Sequence, residues 1–121
     1  MRYAIYACET NYYGLHGMSN SEVDEFNSFE DAENRARELA EEVVFSYAGL
    51  ENSYREDALE EGYEEGTEEF EECFNSLIEE NLYWEIYEIK EEVTEPIEIL
   101  DKMFYNNKKA FIEKYTVKEF N

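Results

Sequence analysis

Apolar residues fill both faces of the first segment, Arg2 to Thr10 (RYAIYACET). Tyr3, Ile5 and Ala7 share one face of an extended chain, and Ala4, Tyr6 and Cys8 share the other. Aromatic and β-branched residues favour a pleated strand, and two apolar faces predict a central strand over 2–10. The next stretch, 11–21 (NYYGLHGMSNS), carries two glycines, two asparagines and two serines, and reads as a connecting loop. Glu22 to Phe26 alternates weakly and predicts an edge strand over 22–27, whose charges oppose unwanted pairing. From Ser28 the period changes. Phe29, Ala32, Ala36, Leu39, Ala40, Val43, Val44 and Tyr47 recur at helical spacing. Ser28 as N-cap, Asp31 in the first turn and Gly49 as the stop predict a helix over 28–48.

Asn52-Ser53 as a cap predicts a short helix over 54–63, and Gly62 and Gly66 interrupt the helical pattern at its end. Thr67 is a good N-cap for a helix over 67–80, with Phe70, Cys73, Phe74, Leu77 and Ile78 as its stripe. Leu82 to Ile89 (LYWEIYEI) predicts a strand over 82–90 able to pair with the first. Leu82, Trp84 and Ile86 lie on one of its faces, and Tyr83, Tyr87 and Ile89 on the other. Pro96 suits the first turn of a helix over 96–115, with Ile97, Leu100, Met103 and Phe104 as its stripe. Asn106-Asn107 breaks the pattern, and Ala110, Phe111, Tyr115 and Phe120 continue it, helical at first and then extended. The expected architecture is one α+β domain over 1–121: a small antiparallel sheet of about three strands packed against several helices, one segment of them acidic.

Composition adds one constraint. Hydrophobic residues make up 43% and aromatics 17% of 121 residues, enough for a folded core despite a net charge of −22. Such self-repulsion opposes the compact state, so the charge is expected to have a use. It repels nucleic acid and anionic membrane and attracts cationic protein surfaces. It is also uneven: residues 1–89 hold 25 acidic and 4 basic residues, residues 90–121 hold 7 and 6. Cys8 and Cys73 fall in apolar patterns and read as reduced core thiols of a cytoplasmic protein. The start of the chain lacks the apolar core of a signal peptide, and no apolar run reaches the roughly 18 residues of a membrane span.

The charge concentrates in doublets: Glu56-Asp57, Glu60-Glu61, Glu64-Glu65, Glu68-Glu69 and Glu71-Glu72. Between Glu51 and Glu80 stand 13 acidic residues and a single basic one, Arg55. Four helical residues advance about 6 Å, close to two phosphate steps of about 3.4 Å each. Doublets every four residues therefore approximate the pitch of a phosphate backbone, drifting about 40° around the helix per step. The pairs Glu56/Glu60, Glu61/Glu65 and Glu64/Glu68 are like-charged at i,i+4, which opposes helix formation. A segment built against its own electrostatics points to an external cationic partner; the alternative is a solvated face that confers solubility. Tyr54 and Tyr63, set among these glutamates, are candidate aromatic anchors for the same partner.

Other chemistry finds less support. No EF-hand loop and no Cys/His cluster is present, so no metal or other cofactor is expected. No nucleotide-binding glycine loop occurs. His16, flanked by Gly14 and Gly17, is the one candidate acid/base residue, and no nucleophile motif accompanies it.

Small size, extreme acidity and carboxylates along Glu56–Glu72 resemble the phage- and plasmid-encoded DNA-mimic inhibitors of restriction and CRISPR defence. That class has no single fold, and no family motif is matched. The resemblance implies a non-catalytic, phage-encoded inhibitor in the host cytoplasm that binds a basic nucleic-acid-binding protein, such as a defence nuclease. It implies no direct contact with nucleic acid or membrane. The competing reading is a structural or regulatory interaction module whose aromatic surface binds a partner or forms a homodimer.

Overall fold

Strand β1 (Arg2–Glu9) is buried from Tyr3 to Glu9, because it is central in the sheet and both its faces are covered. The computed structural model describes residues 1–15 and 17–119, with the side chains of 118 and 119 outside the description. Four strands pair antiparallel in the order β2-β1-β3-β4, with β2 at Ser19–Glu25, β3 at Leu82–Ile89 and β4 at Thr116–Glu119. β1 runs from Tyr3 opposite Glu88 to Glu9 opposite Leu82.

Helix α1 (Phe29–Ser46) lies on one face of the sheet. Ala32, Ala36 and Ala40, spaced by four, bring its axis close enough to pack against Tyr3, Ile5, Ala7 and Ile86. The Ser28 side chain accepts a hydrogen bond from the Asp31 amide, as an N-cap should. Helices α4 (Ile97–Asn106) and α5 (Lys108–Tyr115) cover the opposite face, where Leu100, Phe104 and Phe111 meet Ala4, Tyr6, Cys8, Val23 and Tyr87. Helices α2 (Ala48–Glu60) and α3 (Glu68–Glu80) pack on each other as a hairpin with its own apolar cluster. The edge strand β2 has two amides tied up by carboxylates: Val23 donates to Asp101 at 2.9 Å and Glu25 to Asp24 at 2.8 Å.

The α+β class and the antiparallel pairing of the first and last long strands are as expected. The sheet has four strands instead of about three, because 116–119 pairs with β3. The break expected at Asn106-Asn107 divides the span 96–115 into two helices: Asn107 leaves helical geometry and its side chain caps α5 at the Ala110 amide. β2 begins at Ser19, inside the stretch read as loop, and stops at Glu25. Gly49 does not end α1. Tyr47 does so by turning extended (φ −117°, ψ 104°), its hydroxyl donating to the Gly17 carbonyl, and Gly49, Asn52 and Ser53 all lie inside α2. Both cysteines are free; Cys8 is buried and Cys73 half-buried. No described helix is long and apolar enough to cross a membrane. His16, the candidate acid/base residue, and Phe120, the end of the C-terminal apolar pattern, lie outside the described residues.

Candidate functional site

The acidic doublets converge on the α2–α3 hairpin. Helix α2 buries Leu50, Tyr54 and Ala58, and α3 buries Phe70, Phe74 and Ile78. Each set repeats every four residues, so the two helices zip along one stripe and turn their remaining surface outward. Phe70 and Phe74 stack with centroids 6.3 Å apart, and the Arg55 guanidinium lies 4.6 Å from the Phe74 ring centre. Gly62 (φ +99°) and Gly66 (φ +91°) make the turn, in backbone conformations that other residues adopt only at a cost. Thr67 locks its far end: the hydroxyl donates to the Glu64 carbonyl at 2.6 Å and accepts from the Phe70 amide at 3.2 Å.

All ten doublet carboxylates, Glu56, Asp57, Glu60, Glu61, Glu64, Glu65, Glu68, Glu69, Glu71 and Glu72, are exposed. Arg55 bridges to Glu51 at 3.4 Å and to Glu65 at 3.7 Å, so the hairpin's one cation is already shared between two glutamates. Tyr63 is 41% exposed in the turn between Glu61 and Glu64. Tyr54 is not a surface anchor. It is 6% exposed at the heart of the hairpin. Burial, with the nearby Glu9 and Asp57 carboxylates, pushes its hydroxyl up to about 12.

The phosphate-like pitch holds for one step only. Glu56-Asp57 and Glu60-Glu61 lie on the end of α2, Glu64-Glu65 in the turn, and Glu68-Glu69 and Glu71-Glu72 on α3. The break relieves the electrostatics that a continuous helix would impose. Of the three like-charged i,i+4 pairs, only Glu56/Glu60 remains within a helix. The two helices differ in how they tolerate their charge. Glu68, Glu69 and Glu71 lie in the first turn of α3, where the helix dipole favours them. Glu60 and Glu61 lie at the C-terminal end of α2, where the dipole opposes them and no basic residue compensates.

A second polar constellation escaped the sequence reading. Glu85 is 4% exposed on the sheet face covered by α4 and α5. Its carboxylate accepts from the Tyr83 hydroxyl at 2.7 Å, the Tyr87 hydroxyl at 2.6 Å and the Lys108 ammonium at 2.7 Å. Lys108 also donates to the Tyr13 hydroxyl at 3.1 Å and lies 4.0 Å from the Tyr6 ring centre. Burial alone would raise the Glu85 carboxyl, but the hydrogen bonds from Lys108, Tyr87 and Tyr83 outweigh it and hold it below its ordinary value. Burial likewise acts to lower Lys108, and its bonds to Glu85 and Tyr13 hold it above. The signal was present in the strand pattern: Glu85 is the one charged residue between Tyr83 and Tyr87 on an otherwise apolar face.

Among the described residues no group of three or more carboxylate, histidine or cysteine side chains is placed to hold a metal ion. No protein-family model, no curated protein and no solved structure matches the chain.

Proposed function

We propose that this protein is a non-catalytic inhibitor that acts in the cytoplasm of a phage-infected host. It binds a basic nucleic-acid-binding protein, such as a defence nuclease, in the place of the nucleic acid. The observation that carries this reading is the α2–α3 hairpin: ten exposed carboxylates beside one arginine that is already paired. A lysine- and arginine-lined groove would supply the counter-charge that the hairpin lacks, with fast, electrostatically steered association. Tyr63 adds an aromatic contact amid the charge. The turn and the end of α2 are the part least committed to packing, so Glu60, Glu61, Glu64 and Glu65 are the core of the proposed contact.

The experiment is capture of partners from bacterial lysate on the immobilised protein, followed by challenge with duplex DNA and with rising salt. A nucleic-acid-binding protein should be retained, be displaced by DNA, and bind more weakly as salt rises. Replacing Glu60, Glu61, Glu64 and Glu65 together by Gln should weaken that binding by about tenfold or more. Retained proteins that ignore duplex DNA, or a quadruple variant that binds unchanged, would refute the mimic reading.

The interaction-module reading has its own observation: Phe45, Leu59 and Tyr105 are 47%, 45% and 68% exposed. These side chains stand on three different helices, α1, α2 and α4, and association through an apolar contact at any of them would change little with salt, which separates the two readings in the same experiment.

A further inference from the structure

We propose that the cavity beside Lys108 binds a small, uncharged planar ring that carries a carbonyl oxygen. The cavity is a half-open cleft of about 450 Å³, within the range of small-molecule sites. Its walls come from β1, from the β1–β2 connection, from β2, and from the junction of α4 with α5. Tyr6, Tyr13, Phe104 and Tyr105 contribute aromatic surface, and Ser19, Ser21 and Asn106 contribute polar groups. Among the described residues no carboxylate lines it, in a chain with 32 acidic residues.

The ligand class is reached by elimination. A cation is disfavoured because the Lys108 ammonium is already there, 4.0 Å from the Tyr6 ring centre and 4.9 Å from that of Tyr13. A multiply charged anion is disfavoured because Glu85 neutralises Lys108 at 2.7 Å and the whole chain carries −22. A purely apolar ligand would bury the serine hydroxyls and the lysine N–H without partners. The remaining class is a neutral molecule with flat apolar faces and an acceptor.

Lys108 is suited to that acceptor. Of its three hydrogens, Glu85 and Tyr13 take two, and the third has no hydrogen-bond acceptor among the described residues. The side chain remains 27% exposed and lines the cavity, while Glu85, itself held by two tyrosine hydroxyls, fixes its position. A donor aimed in advance loses little freedom when a ligand arrives. This anchoring also gives the buried pair a use, since such a pair by itself adds little net stability.

The test is amide chemical-shift mapping of the full chain titrated with benzamide and with uracil, beside benzylammonium and uridine monophosphate. Saturable shifts at Gly14, Gly17, Ser19, Ser21 and Asn106 are expected with the first two, and shifts at least about tenfold weaker in affinity with the charged probes. Ser21→Phe, which fills the cavity from the β2 side and leaves both members of the ion pair in the chain, should abolish them. The double variant E85Q/K108M removes the ammonium without stranding a charge, and should weaken benzamide binding by about tenfold. Absence of saturable shifts, shifts that survive Ser21→Phe, equal binding of benzylammonium, or an unchanged double variant would each overturn the proposal.

Discussion

Glu85 and Lys108 hold each other in place, and neither is tolerable alone in its setting. Removing one partner leaves the other desolvated and unpaired, which costs about 3–5 kcal/mol for a fully buried pair. Lys108 keeps 27% of its side chain exposed, so Glu85→Ala or Lys108→Met is expected to destabilise the fold by about 3 kcal/mol, the lower end. Urea denaturation measures this, and the double variant E85Q/K108M should cost clearly less than the two single changes summed. The pH dependence has a definite sign. Glu85 titrates below its ordinary value in the folded chain, so its contribution is present above the ordinary carboxylate range and lost as pH falls through the lowered value. Lys108 titrates above its ordinary value, so its contribution is present below the ordinary lysine range and lost as pH rises through the raised value. The wild-type stability profile should therefore drop at both ends relative to the double variant. Sequence could place Glu85 on an aromatic face but could not find its partner, because Lys108 arrives through the α4–α5 turn. Tyr54 and Tyr63 show the same limit: both stand among glutamates in the sequence, but Tyr54 shares the helical phase of Leu50 and Ala58 and is buried, whereas Tyr63 lies past the end of α2, in the exposed turn.

At the scale of the element, α2 is where stability and the proposed contact conflict. Glu60 and Glu61 oppose the helix dipole, and Glu60 repels Glu56 across one turn. Replacing Glu60 and Glu61 by Gln is expected to raise thermal stability by roughly 0.5–1 kcal/mol while weakening partner binding. A thermal melt that is unchanged or lower would mean that these carboxylates have internal counterparts. Elements with a strong local pattern were legible: the alanine-rich stripe of α1 behind Ser28, the phenylalanine stripe of α3 behind Thr67, and the aromatic strands β1 and β3. The misses were elements made by contacts distant in sequence. β4 spans four residues, too few for a pattern, and exists because β3 offers an edge. Ser19 to Ser21 reads as a turn and becomes strand through pairing with Cys8, Ala7 and Tyr6. Helix α2 begins early because Tyr47 is drawn to Gly17 and Leu50 to the hairpin core.

For the whole molecule, the net charge of −22 acts on folding and on binding in opposite directions. Added salt screens self-repulsion, so thermal stability should rise between about 0.01 and 0.15 M, as the screening length falls from about 30 to 8 Å. Over the same range, affinity for a cationic partner should fall. A fold that melts earlier in salt would show that attractive pairs such as Arg35–Glu22 at 2.9 Å outweigh the repulsion. The fold class and the acidity of the hairpin were readable in the chain, whereas the cavity was not, since its walls join the stretch 6–21 to the distant stretch 104–108. The central pairing also sets the tempo of folding. β1 pairs with a strand far along the chain: Tyr3 lies opposite Glu88, with three α-helices in between. Contacts of such long range form slowly, and until they do the aromatic strands are available to neighbouring chains. The hairpin, local in sequence, carries its charge throughout that wait. Mutual repulsion between unfinished molecules then keeps them apart during the interval in which an uncharged chain of the same pattern would be most exposed to aggregation.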